Sequence, residues 1–170
     1  MKTKIVFLSI ILLMLPANVF AQKTTPIATV REFYQFHFAH EDIFNEREVA
    51  RRRRFFTPRL AQFFAAELKR QRLYLKKYPD NKPYFEGLSF QPIEFCPNNY
   101  TIGMSQTERQ TATVRVNFVY GKSSCKAKDG TKIFYKIALR QIGGKWLIDD
   151  VVYDNGKRLT DAFNEAKKIK

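Results

Sequence analysis

Asp150 is the residue of this chain whose setting most invites acid–base chemistry. It lies in the run Trp146-Leu147-Ile148-Asp149-Asp150-Val151-Val152-Tyr153. Strict alternation puts it on one face with Trp146, Ile148 and Val152. A carboxyl on an apolar face has its pKa raised and can give or take a proton. Tyr34 and His37, or Tyr135, would complete a polar cluster around it. The plainer alternative is an aspartate near the end of a strand, paired with an arginine or a backbone N–H. His37, His40, Glu41 and Asp42 spell H-x-x-H-E-D. Two histidines three residues apart, without a matching third motif, read as ordinary helix residues rather than metal ligands. No nucleophile–base spacing or phosphate loop accompanies them, so neither a metal nor a cofactor is expected.

Cys96 and Cys125 are the chain's two cysteines. In an oxidising compartment such a pair reads as a disulfide, contributing about 3 kcal/mol through the loop it closes. The compartment itself is suggested by the N-terminus. Lys2 and Lys4 precede a short apolar run over residues 5–15, then Pro16, Val19 and Ala21. That pattern predicts a secretory signal peptide cleaved after Ala21, too short for a membrane span. The expected mature chain, residues 22–170, is one soluble domain, periplasmic or secreted.

Charge narrows the class of partner. Without Lys2 and Lys4 the net charge falls from +14 to +12. A basic surface attracts anions, and export favours acidic proteins or envelope polymers over nucleic acid. Arg51, Arg52, Arg53 and Arg54 are consecutive, and Lys69 and Arg70 follow on the next helical segment. A helical wheel sets Arg52 and Arg53 beside the buried side and points Arg51 and Arg54 outward. Together these side chains form a candidate anion-binding surface; the plainer reading is a solvated basic face.

The elements that position these groups follow from capping and periodicity. Thr25-Pro26 and Thr57-Pro58 are two helix starts, a capping hydroxyl followed by proline. Ile27, Val30, Tyr34 and Phe38 recur at helical spacing, as do Leu60, Phe63, Phe64, Leu68 and Leu75 on a helix ending near Tyr78. A short helix over residues 46–56 lies between them. Residues 85–102 read as an irregular or edge strand because prolines interrupt them, and residues 105–110 as polar turn. Residues 111–120 alternate cleanly as a strand. Residues 131–153 form a hairpin about Gly143-Gly144, pairing Leu139 with Ile148 and Ile137 with Asp150. Thr160 is the expected cap of a C-terminal helix around Leu159, Phe163 and Ala166. Helices followed by an antiparallel meander make an α+β fold with the helices on one face of the sheet.

Phe33-Tyr34 in the first helix, Thr57-Pro58-Arg59-Leu60, and the terminal run from Trp146 to Tyr153 resemble an exported bacterial family of unknown function. That family belongs to the nuclear-transport-factor-two-like, or cystatin-like, superfamily. The resemblance spans residues 26–163 and implies a curved sheet wrapped around the helices with a conical cavity between them. It also implies relatives of several kinds: ketosteroid-isomerase-like and dehydratase-like enzymes, ligand binders, and homodimers formed through the outer sheet face. Fold alone does not choose among these. The expectation is a non-enzymatic binding protein. Its ligand would be a small apolar molecule held by Tyr34, His37, Phe38, Phe64, Tyr135, Trp146 and Asp150, or it would bind an acidic protein or envelope partner. An enzyme using Asp150 and a binder of anionic surfaces are the alternatives.

Overall fold

In the computed structural model, which describes residues 24–121 and 132–168, three helices lead into a four-stranded antiparallel sheet and a short helix closes the chain. The leader expected over residues 1–21, and Cys125 of the expected disulfide, lie outside the described residues. The elements are α1 (Pro26–Phe38), α2 (Glu46–Arg52), α3 (Pro58–Lys77), β1 (Asn99–Glu108), β2 (Thr111–Val119), β3 (Phe134–Ile142), β4 (Lys145–Val152) and α4 (Leu159–Ala166). The strands lie in sequence order, so β1 and β4 are the edges. α1 crosses β1, β2 and β4, while α3 and α4 pack on β4 and on each other. None of the helices among the described residues is long and apolar enough to cross a membrane.

Both predicted threonine caps form. The Thr25 hydroxyl accepts from Ala28 N at 3.1 Å and that of Thr57 from Leu60 N at 3.2 Å. Between helices and sheet lies an aromatic core in which Phe56 stacks on Phe64 (5.1 Å between ring centres) and on Phe90 (5.4 Å). Phe33, Tyr34 and Phe64 are fully buried there, each contributing about 2–3 kcal/mol by area burial.

The second helix is shorter than expected. α2 stops at Arg52, and a tighter 3-10 turn carries residues 53–55. The reason is Phe55 and Phe56, both buried. Adjacent positions on an α-helix point 100° apart, so Phe56 leaves the helix and bridges to Ile148 of β4. Residues 105–108, expected as turn, continue β1, and the turn is Arg109-Gln110 with Arg109 at φ 49°. Polar Ser, Gln and Thr suit an edge strand with one solvated face.

The hairpin turns at Gly143 and Gly144, both at positive φ (56° and 79°), as a two-residue turn of this kind requires. Its expected register holds from Ile142↔Lys145 to Leu139↔Ile148 and then breaks. Ala138 pairs with Asp150 and Ile137 with Val151, so β4 has one extra residue at Asp149. This β-bulge reverses which side chains face inward. Val151, not Val152, is fully buried behind it. A second bulge interrupts β1 between Ile102 and Ser105.

Candidate functional site

The bulge decides what surrounds Asp150. Its Oδ2 accepts from the Thr160 hydroxyl at 2.7 Å, and its Oδ1 from the backbone N–H of Val151 (2.9 Å) and Thr160 (3.3 Å). Arg158 Nη1 and Arg59 Nη2 stand 3.5 and 3.7 Å from Oδ2. Thr160 is the second residue of α4, so Asp150 satisfies a free N–H of that helix's first turn. The N-cap position belongs to Arg158, which corrects the expectation that Thr160 caps the helix. The neighbouring Asp149 accepts from the Thr57 hydroxyl (2.8 Å) and from Arg59 Nε and Nη2 (3.1 and 2.9 Å). Burial works to raise the Asp149 pKa, yet the Arg59 and Thr57 hydrogen bonds together hold it below the ordinary range. Arg59, unremarked in the sequence beyond its place in Thr57-Pro58-Arg59-Leu60, thus ties α3 to the bulge.

Tyr34 and His37 lie apart from this cluster. Tyr34 is fully buried and its hydroxyl donates to Phe90 O at 2.7 Å; burial raises its pKa. His37 receives Arg52 Nε–H on Nδ1 at 3.1 Å, so its own ring proton sits on Nε2. That atom is 3.9 Å from Asp42 Oδ2, and among the described residues neither of the two buried atoms has a hydrogen-bond partner. Burial raises the Asp42 pKa. His40 turns away and bonds Phe36 O through Nδ1. Among the described residues no three His, Cys, Asp or Glu side chains are grouped to hold a metal.

The arginine run is divided by its partners. Arg52, expected on the rim of a basic surface, is fully buried. Its Nη1 donates to Glu48 Oε2 at 2.7 Å, and the remaining N–H groups reach His37 Nδ1 and the carbonyls of Glu48, Glu41 and His37. The Arg52 hydrogen bond holds the Glu48 pKa below the usual carboxylate range. Arg51 also bonds Glu48 (3.1 Å), Arg54 lies over the Phe55 and Phe36 rings and 3.6 Å from Glu32, and Arg70 pairs with Glu67. Arg53 edges an apolar groove between α2 and α3, and Lys69 is exposed. The six side chains therefore do not share one open surface.

The expected cavity lining is likewise divided. Phe64 is core, Phe38 packs on Tyr100 (5.1 Å), and Trp146 pairs with Gln141 at the hairpin end of the sheet. Tyr135, at the other end of β3, lines a cleft of about 570 Å³. One wall is residues 83–95, which include a single 3-10 turn (Ile93–Phe95); the other is Tyr135, Tyr153, Asp154 and Asn155. Two side chains, buried Gln71 and partly buried Asp42, hold the irregular wall in place. The Gln71 amide bonds both the N–H (2.9 Å) and the C=O (3.2 Å) of Phe85, and Asp42 Oδ1 accepts from Leu88 N at 2.8 Å. Ser89 and Cys96, in and beside this wall, adopt positive φ of 62° and 47°. Non-glycine residues bear that conformation at a cost, and it gathers at functional sites. The Tyr135 and Tyr153 rings meet edge to face at 4.9 Å. Burial raises the pKa of both phenols, so they stay protonated at neutral pH. Periodicity offered no signal for this wall. Tyr153 stood in the terminal motif without a role, and Asp42 appeared only as a metal candidate.

Acid should weaken this region through His37. Burial, with Arg52 beside it, lowers its folded pKa to about 3, while an unfolded histidine titrates near 6.5. Between those values the unfolded chain holds a proton that the folded one refuses, so stability rises with pH, by up to about 1.4 kcal/mol per unit. Glu48 and Asp149, both held low, add stability above the usual carboxylate range that is lost as pH falls through their folded pKa values. Asp42, raised, acts in the opposite sense. His37→Asn keeps an acceptor for Arg52 and should flatten the urea-unfolding stability profile between pH 4 and 6.5. Equal slopes for the two proteins would contradict the assignment.

No protein-family model matches the chain, and no curated protein matches it.

Proposed function

We propose that the protein is an exported, non-enzymatic binding protein of the nuclear-transport-factor-two-like kind, and that a small ligand occupies the cleft between residues 83–95 and Tyr135–Tyr153. The carrying observation is the cleft itself: about 570 Å³, the size of a small-molecule site, with aromatic rings and hydrogen-bonding groups interleaved. The two bulges support the superfamily reading, because each bends a sheet and the helices lie on one side of it. The basic start and short apolar run of residues 1–21 support export. Asp150 is engaged through both oxygens away from the cleft, which favours binding over acid–base chemistry there.

Native mass spectrometry of the wild type beside Ile93→Trp tests this. Ile93 is partly exposed on the cleft lining, and an indole in its place fills the opening without touching the core. A small-molecule adduct on the wild type that is missing from the variant is expected. An adduct on both, or on neither, overturns the assignment.

A further inference from the structure

We infer that the apolar groove between α2 and α3 binds a single-chain carboxylate, a fatty acid whose head group meets Arg53. This site is separate from the cleft proposed above and does not depend on it. The groove has a volume of about 490 Å³. The buried side of α3 is Leu60, Phe64, Glu67 and Gln71. Ala61, Ala65 and Leu68, spaced by four and three residues, form a second stripe beside it. Val49 and Ala50 of α2 and Leu147 of β4 supply further lining. Three of these side chains are alanines, so the elements meet over methyl groups and leave room between them. Apart from Phe56 the apolar lining is aliphatic, a surface that suits a flexible alkyl chain.

Charge selects the head group. Glu46 is the one acidic residue of the described lining, and Arg72 Nη1 answers its Oε1 at 2.9 Å. Arg53 is the one basic residue there. Arg51 and Arg52 pair with Glu48, and Arg54 lies 3.6 Å from Glu32; among the described residues the Arg53 guanidinium meets no carboxylate. The side chain of Gln62, exposed on the same lining, likewise has no hydrogen-bond partner among the described residues. A guanidinium and an amide thus stand at an apolar groove with N–H groups to spare, and a carboxylate matches the guanidinium in charge and geometry. The chain's 30 lysines and arginines against 16 acidic residues draw anions toward it. The groove is of small-molecule size, whereas a stable protein interface buries a much wider surface.

The experiment is an NMR titration of the whole protein near neutral pH with octanoate, 1-octanol and octylamine, following the methyl signals of Val49, Leu68 and Leu147. Octanoate should move all three and bind about fivefold more tightly than the alcohol, the gain an exposed ion pair can give, with octylamine weakest. Arg53→Gln, which breaks no described contact, should level acid and alcohol while leaving the alcohol unchanged. Ala65→Trp, at an exposed position of α3, should fill the groove and abolish binding of both. Ile93→Trp should change none of these results, which keeps the groove distinct from the cleft. If the alcohol or the amine binds as tightly as octanoate, or Arg53→Gln keeps the preference, the head-group assignment is wrong. If no methyl moves, or Ala65→Trp still binds, the groove is not the site. An acidic amphipathic helical peptide that displaces octanoate and binds more tightly would replace the fatty acid with a partner helix. Methyl shifts that follow protein concentration alone would replace it with a second copy of the chain.

Discussion

Arg52→Ala should destabilise the protein by about 3–5 kcal/mol, the loss seen when one partner of a buried ion pair is removed. The guanidinium is fully buried and all its N–H groups serve named acceptors. Removing it leaves the Glu48 carboxylate and three backbone carbonyls short of donors, together with a void under α1. Arg52→Lys should recover little, since one ammonium cannot reach Glu48, His37 and the Glu41 carbonyl together. Arg52→Met combined with Glu48→Leu should recover much of it, because replacing both charges avoids a buried unpaired one. Urea unfolding measures all three, and a loss below about 1 kcal/mol for Arg52→Ala would mean that the network adds no more than a surface pair does.

Asp150→Ala should cost about 2–4 kcal/mol. It removes the carboxylate that answers the first turn of α4, leaving the buried Thr160 hydroxyl and backbone N–H without their acceptor, at about 1–3 kcal/mol for each stranded group. The contacts to Arg59 and Arg158 add little, being to partly exposed side chains. Asp150→Asn should fall between, keeping one acceptor oxygen but presenting an amide N–H where Thr160 now donates. Thermal unfolding read at α4, together with the global midpoint, reports both. An asparagine variant as stable as the wild type would detach Asp150 from this structural role and return it to acid–base chemistry.

What was legible in the chain was local. The threonine–proline starts of α1 and α3, the alternation of β2 and the paired glycines of the hairpin each depend on neighbours within a few residues, and each formed as expected. The bulge depends on Thr57 and Arg59, some ninety residues away, and on Thr160, ten residues on, so alternation alone carried the register past Ile148 and put Val152 where Val151 belongs. The four arginines illustrate the same limit. A run of like charges looks solvated whichever member is buried, and Glu48 four residues before Arg52, with His37 across from it, was the one available hint. The irregular wall of the cleft has no period to read. It is held by Gln71 and Asp42, polar residues on helical or loop positions that a hydrophobic pattern ignores. Of the residues proposed to meet a ligand, Tyr135 was therefore visible from the strand pattern, while the segment facing it was not.

The extra residue in β4 also guards against mispairing. A hairpin of uniform alternation can slide by two residues and keep every side chain on its proper face, losing only contacts at the ends. Here such a slide would carry Asp149 away from Thr57 and Arg59 and Asp150 away from Thr160, leaving carboxylates stranded against an apolar layer. A slide by one residue would turn Trp146 and Ile148 out toward water. The two aspartates thus act as a detent: β3 and β4 have one alignment in which both halves of the strand are buried and both carboxylates are answered.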